Sequence, residues 1–155
     1  MGQVVELDSL LEIINKLKKE KKIIVTTNGC FDIIHIGHIR YLREAKALGD
    51  ILIVGLNTDR SVKNLKGPTR PINQEKNRAE VLASIISVDY TVLFDEDTPV
   101  ELLSKIKPNI HVKGGDYNLK NLPEAETVQK TGGKVVFIPL IEGESTTNII
   151  KLLEL

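Results

Sequence analysis

Two histidines flank Ile36-Gly37 in the stretch His35-Ile36-Gly37-His38, directly after an apolar run and directly before a helical pattern. A helix start leaves backbone N–H groups without intrahelical partners and carries partial positive charge. Imidazoles placed there can donate hydrogen bonds to an anion, phosphate above all. A triphosphate beside them would favour their protonated form. Two other readings stay open: histidines that only pack, and a zinc pair. Zinc ranks last, because the familiar helical pair is spaced i, i+4 with a glutamate between, and no third ligand stands nearby in the sequence.

Other residues with chemical capacity follow the same rule of place, each just after an apolar run. Asn28-Gly29 permits a tight turn and close backbone approach. Lys63 and Lys66 precede Gly67-Pro68, which predicts a mobile loop, and Arg78 stands in an amphipathic helical pattern. In "KGGDY" (113–117), Gly114 and Gly115 bare the backbone and Asp116 can accept hydrogen bonds; a plain turn is the alternative. Ser145, Thr146 and Thr147 can bind an anion or simply cap the last helix. Neither G-x-x-x-x-G-K-[ST] nor G-x-G-x-x-G occurs, so a P-loop kinase and an ordinary dinucleotide enzyme lose support. Residues 60–80 hold six basic side chains (Arg60, Lys63, Lys66, Arg70, Lys76, Arg78) against two acidic ones. A strip that short suits a small anionic ligand better than a nucleic-acid duplex, which wants a broad basic face.

The elements that must position these residues can be read from hydrophobic pattern. Five β-branched runs, at 22–27, 51–56, 90–94, 109–113 and 134–138, are nearly continuous, as in strands buried on both faces. Helical patterns alternate with them at 39–48, 74–86, 99–106 and 123–131, with a leading helix at 7–22 and a closing one at 146–155. The alternation predicts an α/β, Rossmann-like three-layer sandwich: a five-stranded parallel sheet with helices on both faces. Ligands of such sheets bind at the carboxyl ends of the strands.

Composition sets the outer limits. The 155 residues predict one domain, 1–155, whose first 21 residues lead into the core. Net charge is +0, with 41% hydrophobic residues, and no apolar run approaches the ~20 residues of a membrane span. The N-terminus lacks the form of a signal peptide. Cytoplasmic location is the expectation, with no nucleic-acid or membrane partner. A single cysteine, Cys30, excludes an internal disulfide.

The stretch "NGCFDIIHIGHIRYL" resembles the signature of the cytidylyltransferase-like nucleotidyltransferases. These share a "HIGH" element with class I aminoacyl-tRNA synthetases, but no KMSKS-like stretch is present. Further segments, "LKGPTRPINQEKNRAEVLA", "VDYTVLFDEDTP", "KPNIHVKGGDY" and "IPLIEGESTTNII", are similar to the D-glycero-β-D-manno-heptose 1-phosphate adenylyltransferases within that superfamily. The resemblance covers residues 23 to 150. It implies transfer of AMP from ATP to a sugar 1-phosphate, with His35, His38 and Lys66 catalytic. It assigns nucleotide or phosphate binding to Asn28, Gly29, Cys30, Phe31, Asp32, Lys63, Arg78, Gly114, Gly115, Asp116, Ser145, Thr146 and Thr147. Mg²⁺ would travel on the ATP phosphates, and a homodimer is implied. Fused relatives often begin with a sugar kinase domain, so this chain resembles the stand-alone transferase. Cytidylyltransferases for glycerol phosphate have an aspartate at the place of Gly115 and an arginine at that of Leu140, departures that suit ATP rather than CTP. Two alternatives remain at this level: the same chemistry on glycerol 3-phosphate or FMN, and a non-catalytic nucleotide-binding module.

Overall fold

Near-continuous apolar runs become strands because both of their faces can be buried under helices. Five such strands are β2 (Ile24–Gly29), β3 (Ile51–Asn57), β4 (Tyr90–Phe94), β5 (Ile110–Gly114) and β6 (Lys134–Ile138), each within two residues of its predicted run. The structure, a computed structural model, describes residues 1–115, 118–140 and 145–154.

The sheet has six strands, not the predicted five. The extra one, β1 (Gln3–Val4), pairs in parallel with β4, Gln3 opposite Tyr90 and Val4 opposite Thr91. Both of its residues are exposed, and two residues carry no periodicity, so nothing local marks them as strand. Tertiary contacts place them. Gln3 N–H donates to Asp89 O and Val5 N–H to Thr91 O, and Gly2 passes so close that a Cβ there would lie 2.3 Å from Val88 O.

Alternate strand residues point to opposite faces, and each face has its own apolar layer. On one, α1 (Leu7–Lys19) and α5 (Val100–Ile106) set Leu10, Ile14, Leu102 and Ile106 on Ile24, Ile53 and Val92. On the other, α2 (Ile36–Ala47) and α4 (Glu75–Ala83) set Leu42, Ala45, Ala79 and Leu82 on Val25, Leu52, Val54 and Leu56. Leu42 is wholly buried; truncating such a side chain to alanine typically costs about 2–5 kcal/mol. The remaining helices are α3 (Asp59–Lys66), α6 (Pro123–Lys130) and α7 (Thr146–Leu153). The segment carrying Lys63 and Lys66 is thus helix α3 rather than a loop. Thr58 caps its start by accepting from Ser61 N–H, and Gly67, at φ 105°, ends it. Among the described residues no helix is long and apolar enough to cross a membrane.

Strand order is β1-β4-β3-β2-β5-β6. The chain runs outward from β2 to β3 and β4, then returns to the other side of β2 for β5 and β6. Order therefore reverses between β2 and β5, where the following loops diverge and leave a crevice at the strand ends. Ladder pairing there covers only Val25 opposite Ile110 and Thr26 opposite His111. Beyond it, the hydroxyls of Thr27 and Tyr41 bond each other at 2.5 Å and lie 2.9 and 3.0 Å from Val112 O, which accepts from one of them, tying α2 to β5 at the floor of the crevice.

Candidate active site

The crevice is a cleft of about 630 Å³. Its centre is the loop from β2 into α2. Gly29 leaves room there for the Phe31 ring, from which a Cβ would lie 2.9 Å, and Phe31 itself holds φ 44°, a conformation rare for a bulky residue. That turn brings His35 to the cap of α2. His35 Nδ1 accepts from Gly37 N–H at 3.1 Å, and His38 Nδ1 accepts from His35 N–H at 3.2 Å. The two imidazoles thus form the reciprocal capping arrangement usually made by Ser and Glu. An accepting Nδ1 carries no proton, so each neutral ring keeps its hydrogen on Nε2. The rings lie against each other with centroids 3.8 Å apart at a 31° tilt, and the Phe31 ring lies 5.2 Å from His38. Burial, assisted by the neighbouring His35, pushes the pKa of His38 down to about 4. His38 is therefore a neutral donor at neutral pH; the protonated form expected from sequence needs an anion's charge to raise it.

Asp32 and Arg78 build the wall beside this loop. Asp32 is 3% exposed and accepts from Arg70 Nε (3.1 Å), Ile72 N–H (2.7 Å) and Asn73 N–H (2.8 Å). Arg78 is wholly buried at its side chain. It donates to Asn73 O, Cys30 O, Asn57 O and Asp59 Oδ1, all within 2.7–2.9 Å. Together they lock residues 70–73 to the histidine loop.

The opposite wall rises from β5 and α6. Lys113 Nζ lies 3.4 Å from Asn28 Oδ1 and 3.5 Å from Glu124 Oε1. Behind it, Thr26 Oγ1 meets His111 Nδ1 at 2.8 Å, while His111 Nε2 stands 3.5 Å from Glu124 Oε1, too long for a good hydrogen bond. Burial lowers the pKa of His111 and keeps it neutral. The start of α7 closes the cleft. Ser145 Oγ accepts from Asn148 N–H, and Thr146 Oγ1 donates to Ile33 O, both at 3.0 Å. The N-termini of α2 and α7 thus meet at one place, a setting that favours an anion.

Residues 26–151 match the family described as cytidylyltransferase-like. The chain belongs to this family. It is 47% identical over 144 residues to the bifunctional protein HldE of Syntrophotalea carbinolica, aligning 93% of this chain with 29% of that protein. It is 49% identical over 146 residues to HldE of Trichlorobacter lovleyi, with 94% and 30% covered. The chain spans about three tenths of the length of these curated relatives. The solved lipopolysaccharide core biosynthesis protein from Thermoplasma volcanium is 32% identical with a TM-score of 0.63, covering 79% of this chain and 99% of that one. Pantoate-β-alanine ligase from Francisella tularensis, at 17% identity and a TM-score of 0.61 over 100% of this chain and 79% of that one, shares the fold alone.

In this member of the cytidylyltransferase-like family most residues chosen from sequence line the one cleft: Asn28, Gly29, Cys30, Phe31, Asp32, His35, His38, Lys66, Gly114, Ser145, Thr146 and Thr147. Lys63, Arg78 and Gly115 do not line it, and Asp116 lies outside the described residues. Arg78 is consumed by the scaffold, as is the carboxylate of Asp32, while Ser145 and Thr146 already use their hydroxyls to cap and fasten α7. Sequence reasoning passed over Arg70, Tyr41, Lys113, Leu122 and Glu124 as cleft walls, and singled out Leu140 only as a departure from the cytidylyltransferase pattern. Arg70 was visible as part of the basic strip and Lys113 as the end of a strand. Tyr41 and Glu124 gave no local signal, since each faces the cleft only once its helix has docked.

Proposed function

We propose that this cleft transfers AMP from ATP to D-glycero-β-D-manno-heptose 1-phosphate, giving ADP-heptose and pyrophosphate for the lipopolysaccharide core. The observation that carries the reading is the pair of adjacent imidazoles, each with its proton on Nε2, at a helix N-terminus over the reversal in strand order. The segments resembling heptose 1-phosphate adenylyltransferases, and the likeness to the Thermoplasma volcanium protein, support the acceptor.

A phosphate oxygen of the acceptor attacks the α-phosphorus of ATP in line. The new P–O bond forms as the bond to the β-phosphate breaks, and pyrophosphate leaves with the electron pair. The attacking oxygen is already ionised at neutral pH, so no general base is required, and catalysis rests on placement and charge stabilisation. His35 and His38 donate through Nε2–H to the phosphates whose charge grows in the transition state. Lys66, at the last turn of α3, adds a positive charge. Leu122, Leu140 and Tyr41 offer apolar surface for the base. Mg²⁺ belongs to the proposal as an ion carried by the triphosphate, which needs few protein ligands. The donor set fits that: Asp32 is consumed by three protein donors, and Asp97, exposed on the cleft, is the carboxylate that would meet the ion. When bound, the ion offsets charge on the leaving pyrophosphate. Assembly as a homodimer is part of the same reading and is checked by light scattering.

The test is pyrophosphate release across a panel of nucleotides and phosphorylated acceptors. Release with ATP and the heptose 1-phosphate, and about 10²–10³ less with His38→Ala, is expected. Release with CTP and glycerol 3-phosphate instead, or none with any pair, would refute it.

A further inference from the structure

Arg70 and Arg78 are eight positions apart in the sequence, and both leave solvent on folding, yet their guanidinium groups are used in opposite ways. Arg78 spends its nitrogens on four protein acceptors. Arg70, whose side chain is only 14% exposed, makes a single hydrogen bond, from Nε to Asp32 Oδ2 at 3.1 Å. Its two terminal nitrogens have no partner among the described residues, and it lines the cleft. Those nitrogens are not among the buried unpartnered atoms and keep contact with solvent in the cleft, so a ligand entering it can complete their hydrogen bonds.

The mounting is rigid. Asp32 takes Arg70 Nε and Ile72 N–H on one carboxylate oxygen and Asn73 N–H on the other, while Asn73 Nδ2 returns a bond to Asp32 O at 2.7 Å. Arg78 clamps Asn73 O from behind. The fork of Arg70 is therefore fixed relative to the loop that carries His35. Planar, fixed and doubly donating, it matches a phosphate better than any flexible cation does.

The cleft also has two unlike halves about β2. Toward β5 and β6 lie Leu122 and Leu140, the start of α7 and the mutually paired Lys113 and Glu124. Toward β3 lie Lys66 and Arg70, with Asp97. A nucleoside base fits the first half and a compact dianion the second.

We propose that Arg70 binds the phosphate of the acceptor, a phosphomonoester dianion, and that Asp32 is the positioning residue that aims it. The proposal rests on the nucleotidyl-transfer reading above and adds the residue that holds the attacking group. The test uses the full chain with Arg70→Gln, Arg70→Lys and Asp32→Asn, each checked for folding by urea unfolding. In the pyrophosphate assay Arg70→Gln should raise the KM for the acceptor roughly 10- to 100-fold, the size of a lost charge-assisted interaction, with the KM for ATP held within about twofold. Arg70→Lys should recover part of the loss, and Asp32→Asn should raise the acceptor KM selectively. A rise in the ATP KM as large as that for the acceptor, or no change in either, overturns the proposal. A second arm needs no turnover: NMR titration of wild type and Arg70→Gln with glucose 1-phosphate. Binding at least about tenfold weaker in the variant supports the site; equal binding, or none by wild type, overturns it. Should wild type release no pyrophosphate with any acceptor, the transfer reading falls, while this second arm still decides whether Arg70 holds a phosphate.

Discussion

Replacing Arg78 with methionine separates a scaffold from a ligand site. The substitution keeps most of the volume and removes every donor. Four acceptors lose their partner: Asn73 O, Cys30 O, Asn57 O and Asp59 Oδ1. Asn73 is exposed and the Asp59 side chain is 33% exposed, so water can rehydrate both. Asn57 is 3% exposed and Cys30 is half-buried, so their carbonyls stay largely dry, at about 1–3 kcal/mol each. The total for the two comes to about 2–6 kcal/mol. Urea unfolding should show a lower midpoint at unchanged slope. At low denaturant, the folded fraction should bind ATP nearly as wild type does. A stability loss under about 1 kcal/mol together with a tenfold weaker ATP affinity would refute this reasoning and return Arg78 to the phosphate site.

The other predictions concern the histidine loop. The unfolded chain, with its imidazole near 6.5, takes up a proton that folded His38, at about 4, refuses. Its contribution is present above pH 6.5 and is lost as pH falls through 6.5 toward 4. His38→Asn should flatten that acid limb in urea titrations; the shift of His111 in the same direction is common to both proteins and cancels in the comparison. Thr146→Val removes the bond to Ile33 O, so we expect a loss of about 1 kcal/mol and faster amide exchange at the start of α7, with unchanged exchange there as the contrary result.

The sequence by itself determined five of the six strands and the side of the sheet on which the cleft lies. Runs such as "ILIVGL" and "KVVFI" admit little but buried parallel strands, because their apolar residues are continuous and helical patterns separate them. His35-Ile36-Gly37-His38 is a local motif, with cap and helix start contiguous in the chain, so its place at a helix N-terminus was legible from four letters, though the Nδ1 cap bonds were not. Tertiary structure alone decided the rest. β1 exists because Gln3 finds the edge of β4, a pairing 87 residues away in sequence that a two-residue stretch cannot announce. Arg70 and Arg78 look alike in a basic strip; only the folded chain, by delivering four acceptors to one and a single carboxylate oxygen to the other, makes the first a cleft residue and the second a buried brace. Asp32 likewise sits inside the signature, yet its oxygens are claimed by residues 70–73, some forty positions downstream. Type and spacing fix what a side chain is able to donate or accept. Which partner reaches it first is set by the packing of distant elements, and that is not written locally.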